Sequence, residues 1–217
     1  MDKRVKKAME PFWMENFGNP NALYKEGLIA RNAVETARED AAKILGARAK
    51  EIIFTNGGTE SDNLAIFGVA RGNLDIECPL GHSMSKFHII TTKFEHHAVL
   101  NSCKQLEKQG FEVTYLDVGK EGVVNPKDVA KALRPETVLV SIMYANNEIG
   151  TIQPIREIAK VIRSVKKKGG GNFVPLRTDE EGNPTGTKIP PSFFPLFHTD
   201  ACQAPGYLDL NVERLGV

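Results

Sequence analysis

Two glycines and a threonine, Gly57, Gly58 and Thr59, stand where a strand-like run gives way to a helix-like segment. A helix N-terminus has unpaired N–H groups and a partial positive charge, and glycine lets a ligand approach the backbone closely. These residues could therefore bind a phosphate group. Thr59 could equally cap the helix, because Thr59-x-x-Asp62 has the form of a capping box. No Gly-Lys-Ser/Thr follows, so the segment is not a P-loop.

Three further loops carry polar side chains directly after strand-like runs. They contain Phe94-Glu95-His96-His97, Asn146-Asn147-Glu148 and Asp200-Ala201-Cys202-Gln203. A flat imidazole can stack on an aromatic ring. A carboxylate at the end of a buried strand needs a partner to stay ionised, such as a protonated ring nitrogen. An Asp200 that only caps the local backbone is the alternative.

The histidines raise the question of a metal site. His96 and His97 could act as ligands together with His198 and Asp200. Adjacent residues of an extended segment point in opposite directions, so at most one of the paired histidines should enter any site. We therefore expect no metal centre.

Alternating strand-like and helix-like segments must position these loops. The strand-like runs are Glu51–Thr55, Phe87–Thr92, Glu112–Leu116, Val138–Met143 and Leu196–Thr199. The helix-like runs are 2–16 (which Pro11 should bend or end), Glu26–Leu45, Thr59–Arg71, Ala98–Lys108, Pro126–Leu133 and Pro154–Lys168. This alternation predicts an α/β fold with a mostly parallel sheet flanked by helices. Ligands bind beyond the carboxyl ends of such strands, so the four loops should converge at one edge.

The composition limits the classes of partner. The chain is 41% hydrophobic and 25% charged with a formal net charge of +1, which gives no net field toward nucleic acid or a membrane surface. No apolar run approaches the roughly 20 residues of a membrane span, and the N-terminus lacks an apolar signal core. We expect a cytoplasmic protein with no nucleic-acid or membrane partner. Cys78, Cys103 and Cys202 suggest reduced thiols rather than a disulfide framework.

Four motifs, in order, resemble those of the cysteine desulfurases of the NifS/IscS type. They are "FTNGGTESDN", "TTKFEHHAVL", "YANNEIGTIQP" and "FHTDACQAPG". Enzymes of that family use pyridoxal 5′-phosphate (PLP) and have the type I aminotransferase fold. The resemblance runs from about Asp2 to Val217 and is interrupted only at 169–195.

The resemblance implies a role for six residues. The implied cofactor-binding residues are Gly58, Thr59, His96, Asn147, Asp200 and Gln203. Gly58 and Thr59 would hold the phosphate, and Asp200 would pair with the ring nitrogen. His96, the implied catalytic residue, would stack on the ring and assist proton transfer. The two amide side chains would lie near the ring hydroxyl.

The resemblance also implies an activity for the full-length enzyme. It would convert L-cysteine to L-alanine and form an enzyme persulfide, which supplies a sulfur acceptor such as an iron–sulfur scaffold protein. A homodimer is expected. Two alternatives remain at this point. One is another PLP enzyme of the same fold, such as an aminotransferase or a selenocysteine lyase, and the other is a non-catalytic binding module.

The extent of the resemblance suggests an incomplete fold. Residues 1–217 would form part of the PLP-binding large domain, with an inserted loop or hairpin at 169–195, where glycine and proline are frequent. The lysine that anchors the cofactor in this family, and its sulfur-accepting cysteine, would lie beyond Val217. We therefore expect the 217-residue chain alone to be inactive.

Overall fold

A computed structural model of the chain describes residues 1–72, 87–168 and 195–217. The chain divides into two compact units, Met1–Phe54 and Thr55–Val217. The insertion predicted at 169–195 lies outside the described residues except for Pro195. The assignment of 1–217 to one partial domain thus stays a prediction. Within the described ranges, no helix is long and apolar enough to cross a membrane.

The first unit contains two helices, α1 (Lys3–Met14) and α2 (Lys25–Leu45), and a 3₁₀ turn at Ala49–Glu51. α1 continues past Pro11 for three residues, so the proline does not end it at that point. α2 ends as its sequence predicts, because Gly46 adopts the left-handed conformation with φ 66° that suits a glycine C-cap.

The strand predicted at Glu51–Thr55 is wrong. Glu51 closes the 3₁₀ turn, and Ile52 has an extended backbone (φ −93°, ψ 125°), yet no described strand pairs with this segment. Instead Arg38 donates a hydrogen bond to the Ile52 carbonyl at 2.6 Å. A β-branched sequence favours extended backbone, but a strand also needs hydrogen bonds from a neighbour.

The second unit is built on a sheet of four parallel strands. They are β1 (His88–Thr92), β2 (Glu112–Leu116), β3 (Thr137–Ser141) and β4 (Leu196–His198). Their order across the sheet is β2-β1-β3-β4, and every neighbouring pair is parallel. The predicted α/β class is therefore confirmed. Each of the four strands falls within two residues of its predicted bounds.

Helices cover both faces of this sheet. They are α3 (Gly58–Gly72), α4 (His97–Lys108), α5 (Pro126–Ala132), α6 (Ile155–Lys168) and a short α7 (Val212–Leu215) that the sequence did not predict. Successive residues of a strand point to opposite faces. Accordingly Ile89 packs in one core cluster with residues of α3 and α4, and Ile90 packs in a second cluster with residues of α5 and α6.

A buried histidine links three strands. The His88 ring lies 2.8 Å from the hydroxyl of Thr137 through Nδ1 and 2.8 Å from the hydroxyl of Thr114 through Nε2. Burial, followed by the nearby positive charge of Arg134, lowers the pKa of His88 to about 4. The ring is therefore neutral at physiological pH and acts as a hydrogen-bonding bridge across the sheet.

Candidate functional site

A cavity of about 210 Å³ lies at the carboxyl edge of the sheet. Its lining residues are Gly58, Thr59, Asp62, His96, Met143, Ala145, Asn147, Asp200, Cys202 and Gln203. They come from the start of α3 and from the segments after β1, β3 and β4. All six residues predicted to hold a cofactor are among them. The expectation that the four loops converge at one edge is confirmed.

The start of α3 has no threonine cap. The helix begins at Gly58, after Gly57 with φ 155°, so Thr59 lies inside the first turn. The alternative of a capping box formed by Thr59 and Asp62 is therefore not realised. The carboxylate of Glu60 accepts the Asn56 N–H at 2.7 Å instead. Within the described residues, the Thr59 hydroxyl has no hydrogen-bond partner, which leaves it available to a ligand.

Gly58 lies against the loop that follows β4. A Cβ atom built on Gly58 would lie 2.6 Å from the Sγ atom of Cys202, closer than real Cβ contacts occur. Only glycine allows this approach without movement of the neighbour. The glycine therefore lets the start of α3 lie close against the loop that follows β4.

His96 is the N-cap residue of α4. Its Nδ1 atom accepts a hydrogen bond from the backbone N–H of Ala98 at 3.1 Å. This bond selects the tautomer in which Nε2 carries the proton of the neutral ring. His97 is the first residue of the helix and does not line the cavity, as expected for adjacent histidines. In the three described ranges, no group of three or more His, Cys, Asp or Glu residues could hold a metal ion.

Asp200 follows β4 and is 9% exposed. One carboxylate oxygen accepts the backbone N–H of Cys202 at 2.9 Å, so the aspartate does cap its own loop. It lines the cavity as well, and the two roles coexist. Partial burial, then the hydrogen bond and negative charge of Asp200, raise the pKa of the Cys202 thiol to about 11.

Asn147 and Gln203 complete the predicted set. Asn146 fixes the turn that carries Asn147, because its Oδ1 atom accepts the N–H groups of Glu148 and Ile149 at 2.9 Å each. Asn147 itself is exposed at the cavity. An adjoining cavity of about 490 Å³ also contains Asn147 and Gln203 in its lining. The two amides thus lie between both spaces.

A buried carboxyl that the sequence did not predict as a site residue lies in the cavity wall. Asp62 is 3% exposed, and burial followed by the negative charge of Asp200 raises its pKa to about 7. The signal was its spacing, because Asp62, Ile66 and Ala70 recur every four residues and are the buried positions of α3. The same residue also fits the form of a capping box, which needs no burial.

Glu95 is a second buried acid beside the site. It is 5% exposed and accepts the Thr92 hydroxyl at 2.8 Å and the Met143 N–H at 2.9 Å. Burial is the main cause that raises the pKa of Glu95 to about 8, and the charges of Asp200 and Asp62 add to it. The cavity therefore has three carboxyl groups near it, of which two favour the neutral form.

A parallel α/β sheet with a polar cavity at its carboxyl edge, beside a helix N-terminus, is typical of enzymes that bind a phosphorylated cofactor. The chain belongs to the aminotransferase class-V family, whose sequence pattern matches residues 1–168. Members of this family depend on PLP.

Curated relatives of the chain are named cysteine desulfurase IscS. The chain is 46% identical over 215 residues to the cysteine desulfurase IscS of Dictyoglomus turgidum, covering 99% of this chain and 45% of that protein. It is 44% identical over 215 residues to the cysteine desulfurase IscS of Methanosarcina thermophila, covering 99% of this chain and 44% of that protein. The solved structure of SspA in complex with cysteine matches with a TM-score of 0.80 and 36% identity, covering 100% of this chain and 52% of that chain. The chain thus spans about half the length of the relatives it matches.

Proposed function

We propose that the whole protein is a PLP-dependent cysteine desulfurase. It takes the sulfur of L-cysteine onto an enzyme thiol, which becomes a persulfide, and releases L-alanine. The observation that carries this proposal is the convergence of six residues on one cavity, in a chain similar to IscS proteins. PLP, when bound, supplies an electron sink for the pair left behind when the substrate loses its α-proton.

The start of α3 is the phosphate end of the site. Gly58 and Thr59 offer backbone N–H groups at a helix N-terminus and a hydroxyl without a described partner. Such groups bind dianionic phosphate through hydrogen bonds and the helix dipole. The residues fit the phosphate of the cofactor on this ground, since Gly58 and Thr59 line the same cavity at the first turn of α3.

Asp200 and His96 form the ring end. Asp200 is a nearly buried carboxylate with no ion pair among the described residues, so a protonated pyridine nitrogen would supply its counter-charge. His96 presents an exposed imidazole whose Nδ1 is occupied by Ala98, which leaves Nε2 to move a proton. The amide side chains of Asn147 and Gln203 would bind the hydroxyl group of the pyridine ring.

The substrate and partners follow from the same proposal. L-cysteine would enter through the adjoining cavity, which shares Asn147 and Gln203 with the cofactor cavity. The similar structure of SspA was solved with cysteine, which supports this substrate class. We also propose a sulfur-acceptor protein such as an iron–sulfur scaffold, a homodimeric assembly and a cytoplasmic location. Residues 1–217 would be part of the PLP-binding domain.

The test uses protein expressed from the complete coding sequence. Purified protein with PLP should release alanine from L-cysteine in equal amount to sulfide when a thiol reductant is present. Asp200→Ala should lower this rate by about 100-fold or more, because it removes electrostatic stabilisation of the developing charge. The exposed acid Asp128 on α5 offers the control Asp128→Ala, which should keep the rate. Mercaptopyruvate in place of alanine would indicate amino-group transfer, and pyruvate with ammonia and sulfide would indicate β-elimination. Either product set would refute the proposal.

A further inference from the structure

Asp62 lies in a short chain of polar contacts beneath the cavity. Its Oδ1 atom is 3.6 Å from Nε2 of His198, which is a contact rather than a hydrogen bond. On the other side of that ring, Nδ1 lies 2.8 Å from the hydroxyl of Ser141. The three residues belong to α3, β4 and β3, so this series of contacts links the helix to two strands.

The contacts between Asp62, His198 and Ser141 lie between the phosphate end and the ring end of the site. Asp62 follows Gly58 by one helical turn, and His198 precedes Asp200 by two residues. A second approach occurs where Gly58 meets Cys202. The start of α3 is thus held against β4 and its loop at two points, between the phosphate end and the ring end.

The burial of Asp62 and His198 disfavours an ion pair between them. Burial raises the pKa of Asp62 and lowers the pKa of His198, and both shifts favour the uncharged forms. Among the described residues, the polar groups near the pair include Asp200, Glu95, the thiol of Cys202 and the hydroxyl of Ser141. A neutral polar contact specifies direction and register better than an apolar one. Uncharged forms avoid the much larger desolvation cost of a buried ion.

We propose that Asp62 is a positioning residue, which acts through His198 and Ser141 to set the separation between the start of α3 and Asp200. This inference rests on the proposed function, because PLP is the ligand whose two ends require that separation. Asp62 itself makes no hydrogen bond to the cofactor in this account.

A ligand with two binding ends is a sensitive probe of their spacing. When both ends fit, the second interaction is intramolecular and strengthens binding greatly, and this gain is lost when the geometry fails. Fragments that occupy one end do not depend on the spacing. Loss of Asp62 should therefore weaken PLP more than it weakens pyridoxal or inorganic phosphate.

The experiment compares dissociation constants in apo-protein made from the complete coding sequence. PLP and pyridoxal are titrated by absorbance, and inorganic phosphate by competition. For Asp62→Ala we expect the PLP constant to rise about tenfold or more, with less than about threefold change for each fragment. Asp62→Asn, which mimics the neutral acid, should stay within about threefold of wild type for all three ligands. Asp128→Ala is the exposed control.

Ser141→Ala provides a second route if Asp62→Ala folds poorly by thermal unfolding. It removes the hydrogen bond between Ser141 and Nδ1 of His198. The dissociation constants for PLP, pyridoxal and phosphate should change in the same pattern as for Asp62→Ala, but by smaller factors. Proportional weakening of all three ligands, an unchanged PLP constant, or an Asp62→Asn as impaired as Asp62→Ala would overturn the inference. Wild-type protein that binds PLP no better than pyridoxal would overturn the proposed function, and the inference with it.

Discussion

The carboxylate of Glu95 accepts the backbone N–H of Met143 with both oxygens, at 2.9 and 3.1 Å. Glu95 follows β1 and Met143 follows β3, which are neighbouring strands. This bond ties together the two loops that carry His96 and Asn147. The relative placement of these two site residues therefore depends on a buried acid that takes no part in the proposed chemistry.

Replacement of Glu95 should destabilise the protein. Glu95→Ala leaves the N–H of Met143 and the hydroxyl of Thr92 without a buried partner, and each such loss costs about 1–3 kcal/mol. We expect the free energy of unfolding to fall by about 2–4 kcal/mol in urea titrations. Glu95→Gln keeps an accepting oxygen and should lose less than half as much. Equal stability of wild type and Glu95→Ala would show that these hydrogen bonds contribute nothing.

Stability should also depend on pH through the buried groups. The pKa values of Asp62 and Glu95 rise from 3.8 and 4.5 to about 7 and about 8 on folding, so the folded protein holds their protons more tightly. Their contribution therefore falls as pH rises from about 4 to about 8. His88 has the opposite effect, because its pKa falls from 6.5 to about 4 and it loses stability as pH drops through that range.

These opposing effects define a measurable window. The free energy of unfolding should decline most clearly between about pH 6.5 and 8, where Asp62 and Glu95 titrate in the folded protein and His88 no longer contributes. Asp62→Asn should make this decline shallower, whereas the exposed replacement Asp128→Asn should leave its slope unchanged. A slope for Asp62→Asn identical to that of wild type would mean that the Asp62 carboxyl ionises normally in the folded protein.

Gly58 offers a steric test of the phosphate end. Gly58→Ala places a Cβ atom 2.6 Å from Sγ of Cys202 and should displace the start of α3, weakening PLP binding about tenfold. Gly68→Ala in the same helix meets open space and should bind PLP normally, with a gain of about 0.5–1 kcal/mol in stability. Adding Cys202→Ala to Gly58→Ala should restore much of the binding. Absence of such rescue would argue against the collision as the cause.

Cys202 should be a poor nucleophile despite its exposure. Its thiol has a pKa raised to about 11 by partial burial and by Asp200, against an ordinary value near 8.5. The rate at which iodoacetamide alkylates Cys202 can be measured in apo-protein by mass spectrometry of the Cys202 peptide. We expect this rate to rise with pH with a midpoint near pH 11. Asp200→Asn should move that midpoint lower. A midpoint near pH 8.5 in wild type would contradict the assigned contact with Asp200.

The sequence predicted the strand ends well and the interior contacts poorly. Strand-end loops are readable because parallel strands direct their carboxyl ends to one edge, which places Gly58 and Asp200 together. Strand pairing depends on a neighbouring segment, so the β-branched run near Ile52 predicts a strand that no described strand pairs with. The burial of Asp62 on the inner face of α3 is not predictable from the local sequence, because a capping box explains an aspartate at this position without any tertiary contact.

The most direct test of the central claim is a crystal structure of the protein with PLP bound. We predict the phosphate within about 3 Å of the Gly58 N–H and the Thr59 hydroxyl, and the pyridine nitrogen at a similar distance from the Asp200 carboxylate. The imidazole of His96 should lie over the face of the ring. A cofactor whose phosphate lies away from the start of α3, or whose ring nitrogen has no contact with Asp200, would contradict the account.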